Sequence, residues 1–113
     1  MELKSLLKED NKPVFVYEEE GVILGHAFCV IQTVMNDRLL EDRKTLYIDD
    51  ICVDETVHKK GIGSALFAYI REYAYHIGCY NITLNVWTCN PGALRFYEKL
   101  GMVPQKIGME LVL

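Results

Sequence analysis

The spacing of apolar residues changes along the chain, and it predicts strands in the first half and helices further on. Val14–Tyr17 and Val22–Val34 are mostly apolar and flank the acidic turn Glu18–Gly21, a pattern that indicates a β-hairpin. Leu46–Val53 is mostly apolar again, as expected for a strand that is buried on both faces. Over residues 61–77 the apolar positions recur every three or four residues, which predicts an amphipathic helix.

The remaining segments extend this pattern to both ends of the chain. Tyr80–Thr88 is predicted to be a strand, and a second helix is predicted to begin at Asn90, a favourable N-cap residue that is followed by Pro91. Val103–Leu113 is predicted to be a strand that closes the sheet. The leucines at positions 3, 6 and 7 have helical spacing, so residues 1–9 are predicted to form a short helix.

The order of these elements indicates an α/β fold class with a mixed α+β sheet. The strand–helix–strand unit over residues 46–88 requires two parallel strands and a right-handed crossover, whereas the hairpin before it is antiparallel. The 113 residues suffice for one domain with a modest core, which we assign to residues 1–113.

Charge and hydropathy narrow the class of protein. The net charge of −4 and the isoelectric point near 5.3 argue against a nucleic-acid partner and suit a cationic substrate. No apolar run reaches the ~18 residues of a membrane-spanning helix, so we expect no membrane partner. Residues 1–4 lack the basic-then-apolar order of a signal peptide.

The cysteines indicate a reducing compartment. Cys29, Cys52, Cys79 and Cys89 have neither metal-type nor redox-type spacing, so no metal site is expected. Three of them lie in apolar, strand-like stretches, which predicts buried, reduced thiols. Reduced thiols favour a cytoplasmic location.

The most informative stretch lies between the strand that ends at Val53 and the first helix. Residues 58–64 read His-Lys-Lys-Gly-Ile-Gly-Ser, which places two lysines and two glycines at the start of a helix. Glycine lets the backbone approach a ligand closely, and the N–H groups of a helix N-terminus favour phosphate. The spacing excludes a P-loop, and Leu66 stands where a dinucleotide fingerprint needs a small residue. A pyrophosphate is the ligand that this segment suits best.

Two motifs carry a resemblance to a known family. Residues 58–63 resemble motif A of the GNAT acetyltransferase superfamily, in which Arg or Gln, two residues, Gly, one residue, and Gly or Ala hold the pyrophosphate of coenzyme A; His58 stands in the first position here. Residues 90–101, Asn-Pro-Gly-Ala-Leu-Arg-Phe-Tyr-Glu-Lys-Leu-Gly, resemble motif B of the same family. The resemblance covers roughly residues 14–113. It implies the GNAT acyl-CoA N-acyltransferase fold, lacking the usual first strand and helix, with acetyl-CoA (coenzyme A) as the cofactor.

The resemblance also implies which residues hold the cofactor. In the family, the strand before motif A separates from the next parallel strand, and its amides bind pantetheine and polarise the thioester carbonyl. Motif A holds the pyrophosphate, and the start of the second helix contacts the cofactor as well. On this sequence the corresponding residues are Ile51, Cys52, Val53, His58, Lys59, Lys60, Gly61, Ile62, Gly63, Ser64, Asn90 and Ala93.

Three residues are candidates for the chemistry. Tyr97 matches the family's general acid, which protonates the departing thiolate; reference pKa values of about 10 for phenol and 8.5 for thiol make this transfer nearly balanced. Asp49 and Asp50 interrupt an apolar strand, and alternation places their side chains on opposite faces. The strand resembles that of diamine and polyamine acetyltransferases, in which an acidic pair binds and deprotonates the amine. A pair of merely solvated carboxylates is the alternative.

These resemblances imply transfer of an acetyl group from acetyl-CoA to a primary amine by direct attack, with Tyr97 as the general acid. The expected acceptor is a small cationic molecule, and a protein or peptide amine is an alternative within the same chemistry. A catalytically weak acyl-CoA-binding module is the alternative from a different class. In the family the first strand and helix line the acceptor site, so we expect a homodimer to cover that side here.

Overall fold

The computed structural model describes residues 2–9, 11–34, 43–54 and 61–113, and these residues form one sheet and two helices. The elements in chain order are β1 (Glu2–Glu9), β2 (Lys12–Glu19), β3 (Val22–Val34), β4 (Arg43–Val53), α1 (Ile62–His76), β5 (Asn81–Thr83) and α2 (Pro91–Lys99). The strand order is β1–β2–β3–β4–β5, and neighbouring strands are antiparallel except β4 and β5, which are parallel. The predicted mixed α+β sheet is confirmed. Neither helix in the described ranges is long and apolar enough to cross a membrane.

The β2–β3 hairpin turns where the acidic cluster predicted it. Glu19 pairs with Val22, so only Glu20 and Gly21 form the loop. Both residues have positive φ angles, 52° and 81°. This is the geometry that matches the twist of two antiparallel strands joined by a two-residue loop.

The core lies between the sheet and one face of α1. Phe15 of β2 is fully buried, and its ring packs edge-on against Tyr69 and Tyr73 at centroid distances of 5.7 and 5.1 Å. The other buried residues of this cluster are Tyr17, Ala27, Cys29, Leu46, Ile48, Ile62, Leu66, Phe67, Ile70 and Ala74. The apolar stripe predicted over residues 61–77 is therefore the face by which α1 attaches to the sheet.

Gly25 of β3 lies where α1 packs tightly on the sheet. A Cβ atom at this position would lie 3.0 Å from Leu66 Cδ1 and 3.1 Å from Ile62 Cγ2. We expect Gly25→Val to lower the free energy of unfolding by about 1–3 kcal/mol, because overpacking forces side chains or the helix to shift. Chemical denaturation followed by circular dichroism measures this loss. Gly108→Val, at a position with open space around it, is the matched control, and equal stabilities of the two variants would contradict the prediction.

The short helix predicted for residues 1–9 is wrong. Glu2–Glu9 forms strand β1, which pairs with β2 from Glu2 opposite Glu18 to Glu9 opposite Lys12. A few apolar positions in a short segment fit either a helix or a strand. The partner strand that follows directly in the chain decides between them, and local spacing does not reveal that partner.

The strand predicted for Val103–Leu113 is also wrong. This segment has no regular secondary structure, and its apolar side chains are exposed, Ile107 to 86%. An alternating apolar pattern becomes a strand only when a neighbour accepts its backbone hydrogen bonds, and none of the described strands pairs with it. The strand predicted over Tyr80–Thr88 is shorter than predicted. Only Asn81–Thr83 pairs with β4, and residues 84–88 pair with none of the described strands.

Candidate active site

Strands β4 and β5 separate at the point where β5 ends. They pair only over Thr45–Tyr47 and Asn81–Thr83. A hydrogen bond from Thr45 Oγ1 to Asn81 Oδ1 (2.7 Å) holds the start of this pairing. Beyond it, β4 continues to Val53 with no paired strand on that side among the described residues. The sheet therefore opens into a gap beside the second half of β4.

The backbone of β4 presents two amides to this gap. The N–H group of Asp54 donates to the carbonyl oxygen of Leu24 on β3 (2.8 Å). Because N–H groups alternate sides along a strand, those of Ile51 and Val53 point away from β3 and towards the gap. They are placed to donate hydrogen bonds to an extended ligand or to a carbonyl oxygen.

Helix α1 begins beside the same gap. Its N-cap residue, Gly61, has a φ of 71° and supplies no capping side chain, so the first N–H groups of the helix have no partner within the helix. A cavity of about 460 Å³ adjoins them, lined by Ile51, Val53, Gly61, Gly63, Ser64, Phe96 and Tyr97. Helix amides that lack a partner within the helix fit an anion such as a diphosphate when they lie beside a cavity. The residues present therefore fit the pyrophosphate and the thioester arm of acetyl-CoA.

Gly63 allows the two helices to approach each other. A Cβ atom at Gly63 would lie 3.3 Å from the ring carbon Cζ of Phe96, tighter than most such contacts. The ring of Tyr97 packs against Phe67 of α1 at a centroid distance of 6.4 Å. These two contacts between α1 and α2 lie beside the cavity that Tyr97 lines.

A second cavity, of about 210 Å³, shares Ile51 and Tyr97 with the first. Its lining residues are Ile48, Asp49, Asp50, Ile51, Leu84, Asn85, Val86, Trp87, Asn90, Ala93 and Tyr97. Tyr97 thus borders one cavity with anion-binding backbone groups and another with two carboxylates. A proton donor in that position can protonate a leaving group when its bond breaks in the first cavity.

A β-bulge lies in β4 at the two aspartates that line the second cavity. Cys29 pairs with Ile48, and Phe28 pairs with Asp50, which leaves Asp49 as an extra residue in β4. Both aspartates are exposed, and both line the same cavity. Their neighbours differ, since Asp50 lies beside His26 and the charge of Asp49 acts on buried Cys29, and the placement of the two side chains on opposite faces stays a prediction.

His26 is a neighbour of Asp50 that the sequence did not reveal. Its Nε2 atom lies 3.5 Å from Oδ2 of Asp50, and its ring contacts that of Phe28 at 5.0 Å. When the imidazole is protonated, this contact is an ion pair that orients Asp50. Local sequence does not reveal the contact between His26 and Asp50, because the contact depends on the register between β3 and β4.

The pKa of Tyr97 is set by its surroundings in the two cavities. Burial raises the pKa of its phenol, and the negative charge of Asp50 raises it further. Both effects disfavour the phenolate. Tyr97 is therefore protonated at neutral pH, as a general acid must be before the reaction.

The start of α2 has the predicted cap. Asn90 Oδ1 accepts a hydrogen bond from the N–H of Ala93 (3.1 Å), and Pro91 lies in the first turn. The N–H of Asn90 in turn donates to the carbonyl of Trp87 (2.9 Å). Asn90 and Ala93 both line the second cavity, and a cofactor contact for either stays a prediction.

The other predicted cofactor residues are more dispersed. The side chain of Ile62 is fully buried in the core, so only its backbone remains for ligand binding. Cys52 is exposed opposite His26 on β3 and lines neither cavity. His58, Lys59 and Lys60 lie outside the described residues.

The cysteines are free, but most are not buried. Cys29 is buried, Cys79 is half-buried, and Cys52 and Cys89 are exposed, which corrects the expectation of mostly buried thiols. Burial raises the pKa of the Cys29 thiol to about 12, and the charge of Asp49 contributes in the same direction. Cys29 is therefore an inert, neutral part of the core.

Known proteins resemble this chain over most of its length. The model of the acetyltransferase (GNAT) family matches residues 2–102. An uncharacterized N-acetyltransferase of Methanocaldococcus jannaschii is 34% identical over 104 residues, which are 92% of this chain and 45% of the relative. The glucosamine 6-phosphate N-acetyltransferase of Trypanosoma brucei brucei is 32% identical over 98 residues, 87% of this chain and 63% of the relative. The chain thus spans about half the length of the curated relatives it matches.

The fold has close structural counterparts as well. A crystal structure of a mutant Bacillus halodurans protein superposes with a TM-score of 0.86 at 34% identity, covering 95% of this chain and 69% of that one. The region that matches the family model includes both the glycine turn at the start of α1 and the Phe96-Tyr97 pair of α2. These two features build the wall of the larger cavity. The chain belongs to the acetyltransferase (GNAT) family.

Proposed function

We propose that this chain transfers an acetyl group from acetyl-CoA to a primary amine of a small cationic molecule. The observation that carries the proposal is the position of Tyr97 between two cavities. One cavity adjoins the start of α1, whose N-cap residue has no capping side chain, and the side of β4 where no described strand pairs beyond Tyr47. These features suit a diphosphate and an acyl arm. The other contains Asp49 and Asp50, which suit a cationic amine.

Four residues of the chain have separate roles in the proposed acetyl transfer. Acetyl-CoA supplies the thioester whose acetyl group is transferred. Asp50, directly or through a water molecule, accepts the proton that the ammonium group of the acceptor must lose before its nitrogen can attack. The amides of Ile51 and Val53 donate hydrogen bonds to the carbonyl oxygen, where negative charge develops. Tyr97 gives its phenolic proton to the sulfur as the carbon–sulfur bond breaks. The nitrogen, which is positively charged after its attack, releases its second proton to solvent, and solvent reprotonates Tyr97.

The acceptor class follows from the charges around the second cavity. The Trypanosoma brucei brucei relative is a glucosamine 6-phosphate N-acetyltransferase, so an amino sugar is one acceptor to test. Two adjacent carboxylates repel a phosphate group and attract an ammonium group. We therefore favour an unphosphorylated, cationic amine as the acceptor. The homodimer expected from the sequence stays a prediction.

Acetyl-CoA is expected to stabilise the protein against thermal unfolding. A ligand at ~100 times its Kd adds about 2.7 kcal/mol to the free energy of unfolding. Gly63→Val is expected to reduce this stabilisation, because the larger side chain at the start of α1 would push against the ring of Phe96 on α2. Gly108→Val, which changes an open position, is the matched control.

Turnover is measured in the same preparation against a diamine, a monoamine and glucosamine 6-phosphate. Because Cys52 and Cys89 are exposed and react with thiol reagents, the acetylated amine is quantified by mass spectrometry rather than by thiol release. Stabilisation with acetylation of the diamine is the expected result. Stabilisation without acetylation of any amine would replace the proposal with an acyl-CoA-binding module. No stabilisation would remove the basis for both.

A further inference from the structure

Trp87 is an exposed aromatic residue at the second cavity. It is 83% exposed, although tryptophan is among the side chains that proteins bury most on average. It lies in the connection between β5 and α2, and it lines the cavity that contains Asp49 and Asp50. A ligand that contacts the exposed indole and the two carboxylates at once would fit this arrangement.

The backbone of Trp87 is held in place. Its carbonyl oxygen accepts a hydrogen bond from the N–H of Asn90, whose side chain in turn caps α2. The turn that contains Trp87 is therefore tied to the same helix that carries Tyr97. The backbone hydrogen bond connects the segment that carries the indole to the start of α2.

The charges around the cavity select a cation. Among the described residues that line it, Asp49 and Asp50 are charged, and no lysine, arginine or histidine is present. The face of an indole ring attracts cations through its quadrupole, more strongly than phenylalanine or tyrosine does. The cavity thus combines two carboxylates with an aromatic face of the kind that binds ammonium groups.

The reacting nitrogen cannot itself be the group that these features hold during catalysis. It must lose its proton, and therefore its charge, before it can attack the thioester. Asp50 lines the same cavity as Tyr97, and we assign it to the reacting nitrogen. Asp49 and Trp87 then remain for a second group that keeps its charge throughout the reaction.

We propose that Trp87 is a specificity-determining residue, which together with Asp49 holds a second ammonium group of the acceptor. The acceptor is therefore a compound with at least two amino groups, of which one is acetylated. This inference rests on the proposed acetyl transfer for its biological meaning, but the binding step can be measured without it. It goes beyond the general cationic amine because it names a further residue and a required second charge.

Intrinsic fluorescence tests the binding step directly, because Trp87 is the only tryptophan in the chain. The probes are 1,4-diaminobutane and 4-aminobutan-1-ol, which have similar length and differ in the second charge. We expect a saturable fluorescence change with the diamine, at a concentration about 2- to 30-fold below that needed for the amino alcohol, the range that one cation–π contact supplies. Equal responses to both amines would overturn the assignment of Trp87. A response to coenzyme A together with no response to either amine would overturn it as well.

Kinetics with variants tests the role in specificity. Trp87→Leu is expected to reduce the preference for the diamine over the amino alcohol, measured as the ratio of their KM values, by about 2- to 30-fold. The effect falls on KM rather than kcat, and Trp87→Phe retains part of the preference. Tyr75→Leu removes another exposed aromatic side chain, 78% exposed on α1 and outside both cavities, and serves as the matched control.

The inference and the proposed function fail in different ways. Acetylation of the diamine with an unchanged KM ratio in Trp87→Leu would overturn the role of Trp87 and leave acetyl transfer standing. A saturable response to the diamine without acetylation of any amine would support the ammonium site and overturn the enzymatic function. Matching thermal unfolding midpoints of the variants and the parent protein establish that each protein is folded.

Discussion

Replacing Tyr97 by phenylalanine is expected to lower kcat by about 100- to 10,000-fold, the range that general acid catalysis supplies. The variant keeps the ring that packs against Phe67 and Phe96 and loses only the hydroxyl group. The departing sulfur then has no donor in the wall shared by the two cavities. Binding of acetyl-CoA, measured as thermal stabilisation, is expected to persist because the glycine turn and the β4 amides are unaltered.

Tyr69→Phe is the matched control for this experiment. Tyr69 also packs by its ring, edge-on to Phe15, and it lines neither cavity. Deleting its hydroxyl is therefore expected to leave kcat near that of the parent protein. A Tyr97→Phe variant that keeps kcat within about threefold, less than the smallest effect expected of a general acid, would remove Tyr97 from the mechanism. The thiolate would then leave without help from this residue.

The parts of the site that local sequence predicted are those whose physical cause is local. Gly61 marks the start of α1 because its backbone adopts a positive φ, which glycine accommodates most readily. Asn90 caps α2 through a hydrogen bond to a residue only three positions away. Such features leave their signature within a few residues, so a single sequence is enough to find them.

The missed parts depend on contacts between distant segments. The bulge at Asp49 exists only in the register between β3 and β4, and the same register brings His26 to Asp50. Likewise, β1 forms because β2 follows it as a partner, whereas Val103–Leu113 has no partner among the described strands. Trp87 is exposed in the segment that follows β5, which ends at Thr83, the third residue of its pairing with β4. In each case the deciding information is which strand pairs with which, and spacing along the chain does not contain it.

The second large effect that we expect is a kinetic difference between variants of the adjacent residues Asp49 and Asp50. Asp50→Asn is expected to lower kcat by about 100-fold or more, because the amide cannot accept the proton of the ammonium group. Asp49→Asn is expected to act mainly on the KM of a diamine, since its charge holds the second ammonium group. The two variants remove the same charge from neighbouring positions of one strand, so each is the matched control of the other. Steady-state kinetics with the diamine separates kcat from KM.

The dependence on pH distinguishes the two aspartates further. The charge of Asp50 helps to raise the pKa of Tyr97, whereas Asp49 is not among the causes of that shift. Removing the charge of Asp50 makes the phenolate less unfavourable, so the pKa of Tyr97 falls. A general acid is active only while protonated, and the alkaline loss of activity should therefore move to lower pH in Asp50→Asn and stay in place in Asp49→Asn. Equal shifts in both variants would mean that the two carboxylates act on Tyr97 alike, and would contradict their separate roles.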